Sequence, residues 1–106
     1  MKVWLDDERD PSNKFFCADG GFIWVQTANE AIELLKTGKV TEISLDHDLG
    51  DGQDGIAVAK FIEHAAFTGA IPQLRVRFHT MNEVGRRNMQ AAIRQAILYW
   101  RENEIN

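Results

Sequence analysis

Four short apolar runs punctuate the chain, each broken off by polar, acidic or turn-forming residues. Lys2-Val3-Trp4-Leu5 stops at Asp6-Asp7 and reads as a buried strand. From Asp10 to Gly21 the residues are turn formers (Asp-Pro, Ser-Asn, Gly-Gly), which predicts a long loop. Phe22-Ile23-Trp24-Val25 is aromatic and β-branched, a second strand. Thr27-Ala28-Asn29-Glu30 follows as a capping box, with a hydroxyl at the cap and a carboxylate three residues on. Ala28, Ala31, Ile32 and Leu35 then recur at helical spacing, and Gly38 is a natural stop. Glu42 to Leu45 predicts the third strand. Val58, Phe61, Ile62 and Ala65 mark one face of the next helix, which ends near Gly69. Leu74-Arg75-Val76-Arg77-Phe78 alternates strictly, as an edge strand with one less-covered face does. Met89, Ile93, Ala96, Ile97 and Trp100 define a long amphipathic C-terminal helix.

Strands alternating with helices predict an α/β domain with a parallel sheet and crossover connections. Right-handed crossovers in a doubly wound layout favour four strands in the order 2-1-3-4 with three helices. Two helices are expected on one face. The loop after strand one and the C-terminal helix are expected on the other, which stays thinly covered and open to a homodimer contact.

Composition narrows the class. The chain has 106 residues, one domain's worth, 44% hydrophobic and 26% charged, in the range of an ordinary globular domain. Its net charge of −4 argues against bulk duplex DNA binding, while a small phosphate ligand held by a metal stays open. Cys17 is the one cysteine, so no internal disulfide forms, and it reads as a buried or half-buried small apolar residue. No signal segment precedes the first strand and no run suits a membrane span, so a cytoplasmic protein is expected.

The chemistry collects where the strands end. Ligands of open parallel sheets bind beyond the carboxyl ends of the strands. In the predicted order strands one and three are neighbours, so Asp6 and Asp7 leave the sheet beside Asp46, His47 and Asp48, with His79 one strand further on. Carboxylates crowded this way repel, and a hard divalent cation such as Mg²⁺ is the usual remedy. The loop Asp46-His47-Asp48 is not a calcium loop, because its sixth and twelfth places are Asp51 and Ala57. His64 falls mid-helix and reads as a surface residue. Asn82, Gly85, Arg86 and Arg87 sit at the start of the last helix, where unbonded amides and the dipole predict a phosphate cradle with Arg86 as clamp.

These residues resemble a family. Leu5-Asp6-Asp7, Asp46, Asp54-Gly55 and His79-Thr80 are similar to a response-regulator receiver domain. The fuller resemblance is to the receiver-like group proposed to process cyclic phosphates. Its motifs are matched by Leu5, Asp6, Asp7, Arg9 and Pro11, by Ser44 to Gly50, and by His79, Asn82, Gly85, Arg86 and Met89. The resemblance implies a flavodoxin-like fold over the single domain 1–106, with a magnesium site at Asp6, Asp7 and Asp46. Asp46 takes the place of the receiver's phospho-acceptor, and Thr80 falls in the phosphate-binding group. The chain ends with the helix after strand four, without the fifth strand and Lys-Pro of a true receiver, so aspartyl phosphorelay is not expected.

The function expected is a metal-assisted phosphoesterase acting on a small cyclic nucleotide or an RNA end carrying a 2′,3′-cyclic phosphate. His47 and His79 share the base and acid roles, Arg9 and Arg86 steady the developing charge, and Asp48 and Asn82 orient a histidine or the ligand. In a variant of this scheme Asp46 attacks phosphorus itself. The competing readings are a non-catalytic module binding the same ligands and a degenerate receiver acting as a protein–protein adaptor.

Overall fold

The computed structural model describes residues 1–10, 21–49 and 54–105. Their elements are β1 (Lys2–Leu5), β2 (Phe22–Val25), α1 (Ala28–Leu35), β3 (Glu42–Leu45), α2 (Gly55–Thr68), β4 (Arg75–Phe78) and α3 (Glu83–Ile105). Residues 11–20 and 50–53, with Pro11, the long loop and the expectation for Cys17, lie outside the described residues.

The strands form one parallel sheet in the order β2-β1-β3-β4, the order the crossover rules predict. Their register is in step. Leu5 lies beside Val25 and Leu45, and Leu45 beside Phe78, so the carboxyl ends finish level. The ladder continues one residue further, with Asp6 N donating to Val25 O, Asp46 N to Leu5 O and His79 N to Leu45 O, each at 3.0–3.1 Å. Three chemically active residues therefore leave the sheet along one rim.

Side chains alternate across the sheet. Val3, Leu5, Val25, Ile43 and Leu45 share one buried core with Ala31 and Leu35 of α1, Val58 and Ile62 of α2, and Met89, Ile93 and Ala96 of α3. All three helices thus cover the same face, which corrects the expectation that the C-terminal helix crosses to the other. The reason lies in α3 itself. Its apolar stripe packs on α2 as well as on the sheet, and its far end is tied down where Trp100 Nε1 donates to Ile71 O (3.1 Å) and Asn103 to Ala66 O (3.0 Å). The opposite face presents Lys2, Trp4, Phe22, Trp24, Glu42, Ser44, Arg75 and Arg77.

Local signals act as their chemistry dictates. Thr27 Oγ1 accepts from Glu30 N (3.1 Å), the first half of the capping box, while the Glu30 carboxylate reaches back to the Thr27 hydroxyl (3.1 Å) and to Gln26 N (3.4 Å). Gly69 ends α2 in the left-handed conformation (φ 76°) that glycine adopts without strain. Among the described residues no helix is long and apolar enough to cross a membrane.

The core position Ile62 is fully buried, whereas Leu98 of α3 is about half exposed. Urea denaturation should show Ile62→Ala losing about 2–5 kcal/mol, while Leu98→Ala stays within about 0.5 kcal/mol of the parent. Equal losses at both positions would contradict this packing.

Candidate functional site

Asp6 is fully buried at the end of β1, and its carboxylate is held on both oxygens. Oδ1 accepts from the backbone amides of Glu8 and Arg9, both at 2.9 Å, which folds the chain sharply after the strand. Oδ2 lies 3.1 Å from Nε2 of His79. The other ring nitrogen of His79, Nδ1, lies 2.8 Å from Ser44 Oγ. An ionised carboxylate can only accept, so Nε2 carries the proton and Nδ1 accepts from the Ser44 hydroxyl. The ring is further clamped flat on Trp4, with centroids 3.8 Å apart and planes within 6°. Burial drives the His79 pKa down to about 4, with Arg9 adding to the fall and Asp6 opposing it. His79 is a neutral, fully engaged imidazole.

Asp46 ends β3 and is buried beside Asp6. Its Oδ1 accepts from His47 N at 2.8 Å, and the Thr80 hydroxyl also bonds to it. Burial raises its pKa, and the negative charge of Asp6 raises it further, against the pull of the Thr80 and His47 bonds. Oxygens of Asp6, Asp7 and Asp46 lie within 4.8 Å of one another. Oxygen-only donors on a rigid rim, whose mutual repulsion already shows in the raised pKa of Asp46, are the set that a hard divalent cation prefers. The residues fit Mg²⁺.

His47 is built differently. Its Nδ1 lies 2.8 Å from Asp48 Oδ1, a bond that lowers the Asp48 pKa, and the described residues leave Nε2 without a hydrogen bond. Asn82 closes the group from the start of α3. Its Nδ2 donates to the Asp48 carboxylate (3.3 and 3.4 Å), while its Oδ1 caps the helix by accepting from Gly85 N (2.9 Å). Gly85 is required by close approach, since a Cβ there would overlap the His47 ring. Gly55 plays the same part at α2, where a Cβ would overlap the Asp46 carbonyl. His47, Asp48 and Asp54 form a second group with ligand atoms within 4.8 Å, though Nδ1 of His47 is already bonded to Asp48.

A polar cleft of about 390 Å³ opens over this rim, and its lining includes Asp7, Arg9, Asp46, Asp48 and Thr80 of the residues singled out in the sequence. Glu8, Leu49 and Met81 line it too and were not anticipated, because nothing marks a lone loop residue before the loop's path is known. His47, His79, Asn82 and Arg86 are not among the lining residues. The expected phosphate cradle is partly occupied by the protein's own groups. The amides of Gly85 and Arg86 are taken by Asn82, and the Arg86 guanidinium donates to the Thr80 carbonyl at 2.7 Å. Trp4 was also missed as a site residue. Its signal was its place in the strand, two residues before Asp6 and on the same face.

An open parallel sheet with carboxylates from two adjacent strands meeting at its carboxyl rim defines a receiver-type domain with a flavodoxin-like fold. Within that class the chain belongs to the cyclic-phosphate processing receiver domain family, whose model matches residues 1–95. No curated protein and no solved structure gives a significant match to it.

In metal-free protein, NMR of the imidazole nitrogens should show His79 as the neutral Nε2–H tautomer down to about pH 5, titrating near pH 4. The unfolded chain binds this proton near pH 6.5, so the contribution to stability is intact above 6.5 and lost as pH falls toward 4. Asp46, with its raised pKa, acts in the opposite sense and favours folding as it protonates. A His79 titration above pH 6 would contradict the buried, doubly bonded ring.

Proposed function

We propose that this domain is a metal-assisted phosphoesterase that opens a cyclic phosphate on a nucleotide or an RNA end. The observation that carries the reading is convergence: Asp7 from β1, Asp46 and Asp48 from β3 and Thr80 from β4 face one cleft, with Arg9 at its rim. Asp6, Asp7 and Asp46 would hold the ion, which when bound neutralises phosphate charge.

The protein's own residues divide the remaining work. Asp48 holds the Nδ1–H of His47, which leaves Nε2 as an acceptor able to take a proton from water as it attacks phosphorus. One P–O bond forms, the ring P–O bond breaks, and the imidazolium returns the proton to the leaving oxygen. Asp48 stabilises the imidazolium between those steps. Arg9 binds a phosphoryl oxygen, and the Thr80 hydroxyl holds the Asp46 carboxylate in place. His79 has no nitrogen left for the substrate and serves as a positioning residue for Asp6. Arg86 steadies Thr80 through its carbonyl.

One observation favours a second reading, a module that binds the same ligand without turnover: neither imidazole is among the residues lining the cleft. The two separate in one experiment. Phosphorus NMR should follow ring opening of 2′,3′-cyclic and 3′,5′-cyclic nucleotides and of cyclic-phosphate-ended RNA, with and without Mg²⁺. Chelator should abolish turnover. His47→Ala should slow it by about 10²–10⁴-fold, whereas His79→Gln, which keeps a donor for Asp6, should retain most of it. Calorimetric binding with unchanged substrate selects the binding module, and undiminished turnover in chelator removes the metal from the scheme.

Metal binding has its own readout. Mg²⁺ at a hundredfold excess over its Kd should stabilise the fold by about 2.7 kcal/mol in thermal denaturation. Asp46→Asn should erase that gain and raise the melting temperature in chelator, because it removes a buried charge and its repulsion from Asp6. A variant less stable than the parent in chelator would show that the Thr80 and His47 bonds to the carboxylate outweigh the cost of burying its charge beside Asp6.

A further inference from the structure

β4 is the last strand on its side of the sheet, and the bonds it makes inward define what it leaves outward. Arg75 N donates to Thr41 O at 2.9 Å and His79 N to Leu45 O at 3.0 Å, both toward β3. Backbone groups alternate in direction along a strand, so Arg77 shares that side. The N–H and C=O of Val76 and Phe78 then point away from β3, where no strand among the described residues meets them. Side chains alternate on the other axis. Val76 and Phe78 turn to the helix face, and Arg75 and Arg77 to the opposite one. Beside this edge a groove of about 470 Å³ runs between β4 and α3, lined by Leu74, Val76, Ile93 and Ile97 with Thr41 at one end.

We infer that the β4 edge receives an extended segment of another protein as an added strand, one whose side chains alternate between apolar and acidic. The segment's main chain pairs with Val76 and Phe78. Its apolar side chains enter the groove against Ile93 and Ile97, and its acidic ones meet Arg75 and Arg77 on the far face. Arg77 already lies 3.6 Å from Glu42, while Arg75 makes no ion pair with a described residue, so the edge carries unspent positive charge.

That charge also decides between occupants. A second copy pairing β4 with β4 would set arginines against arginines, and like charges across a ladder are unfavourable. The other edge of the sheet, β2, is uncharged and flanked by Glu30 and Glu33, so it repels an acidic strand. Charged residues on an edge strand normally prevent self-association. Here the same pair selects a partner of opposite sign.

The test uses the full chain, labelled with ¹⁵N, and two synthetic peptides, acetyl-Asp-Val-Glu-Ile-Asp-amide and acetyl-Lys-Val-Lys-Ile-Lys-amide. The acidic peptide should slow hydrogen exchange at the Val76 and Phe78 amides by about tenfold when free peptide stands at about nine times Kd, and the lysine peptide should not. Arg75→Glu with Arg77→Glu should invert that preference. If the double variant is poorly folded by circular dichroism, Arg75→Glu alone, which breaks no ion pair, gives the same reading. No slowing by the acidic peptide at millimolar concentration, equal slowing by both peptides, or protection at Phe22 and Trp24 in their place would overturn the inference. So would protection of the same two amides by dimerisation without peptide.

Discussion

The site depends on the in-step register of a parallel ladder. Strands that finish level bring Asp6, Asp46 and His79 to one rim although the sequence separates Asp6 and His79 by 73 positions. A slip of one residue in β1 or β3 would turn its side chains to the other face, moving a carboxylate into the helix-side core and a leucine into the cleft. The core fixes that register, because Val3, Leu5, Ile43 and Leu45 find helices on one face only. Packing on one side of the sheet thus determines chemistry at its end.

Once assembled, the rim is stiffened by hydrogen bonds that leave little slack. Asp6 is gripped by two amides and an imidazole, and that imidazole by a serine and a stacked indole. Such a carboxylate cannot swing away from its neighbour, and Asp46, buried beside it, carries both the burial of its charge and the repulsion as a raised pKa. A preorganised anionic pocket of this kind costs stability while it is bare and is suited to holding a cation without rearrangement.

Much of this was legible in the sequence. The alternation in Leu74–Phe78, the capping box at Thr27 and the heptad-like stripe from Met89 to Trp100 each predicted its element, and right-handed crossovers fixed the strand order. The acidic rim followed from that order. The face that α3 would cover did not, since its stripe reports that one side is buried and says nothing of what buries it. Nor was the unequal fate of the two histidines visible. His47 and His79 both follow strands, but only the fold reveals Ser44 and Trp4 enclosing one of them. The arginine at the start of α3 misled for a related reason. A basic residue there suggests an anion, and in the fold one of its donors goes to a nearby carbonyl.

Asn82 uses both ends of its amide, the oxygen to begin α3 and the nitrogen to steady Asp48. Of the side chains that start helices well, serine and threonine are too short to reach both ways, and aspartate has no hydrogen to offer its acidic neighbour. The position is therefore far choosier than its half-buried place just before a helix suggests, and a library of replacements there would sort by two independent criteria rather than one.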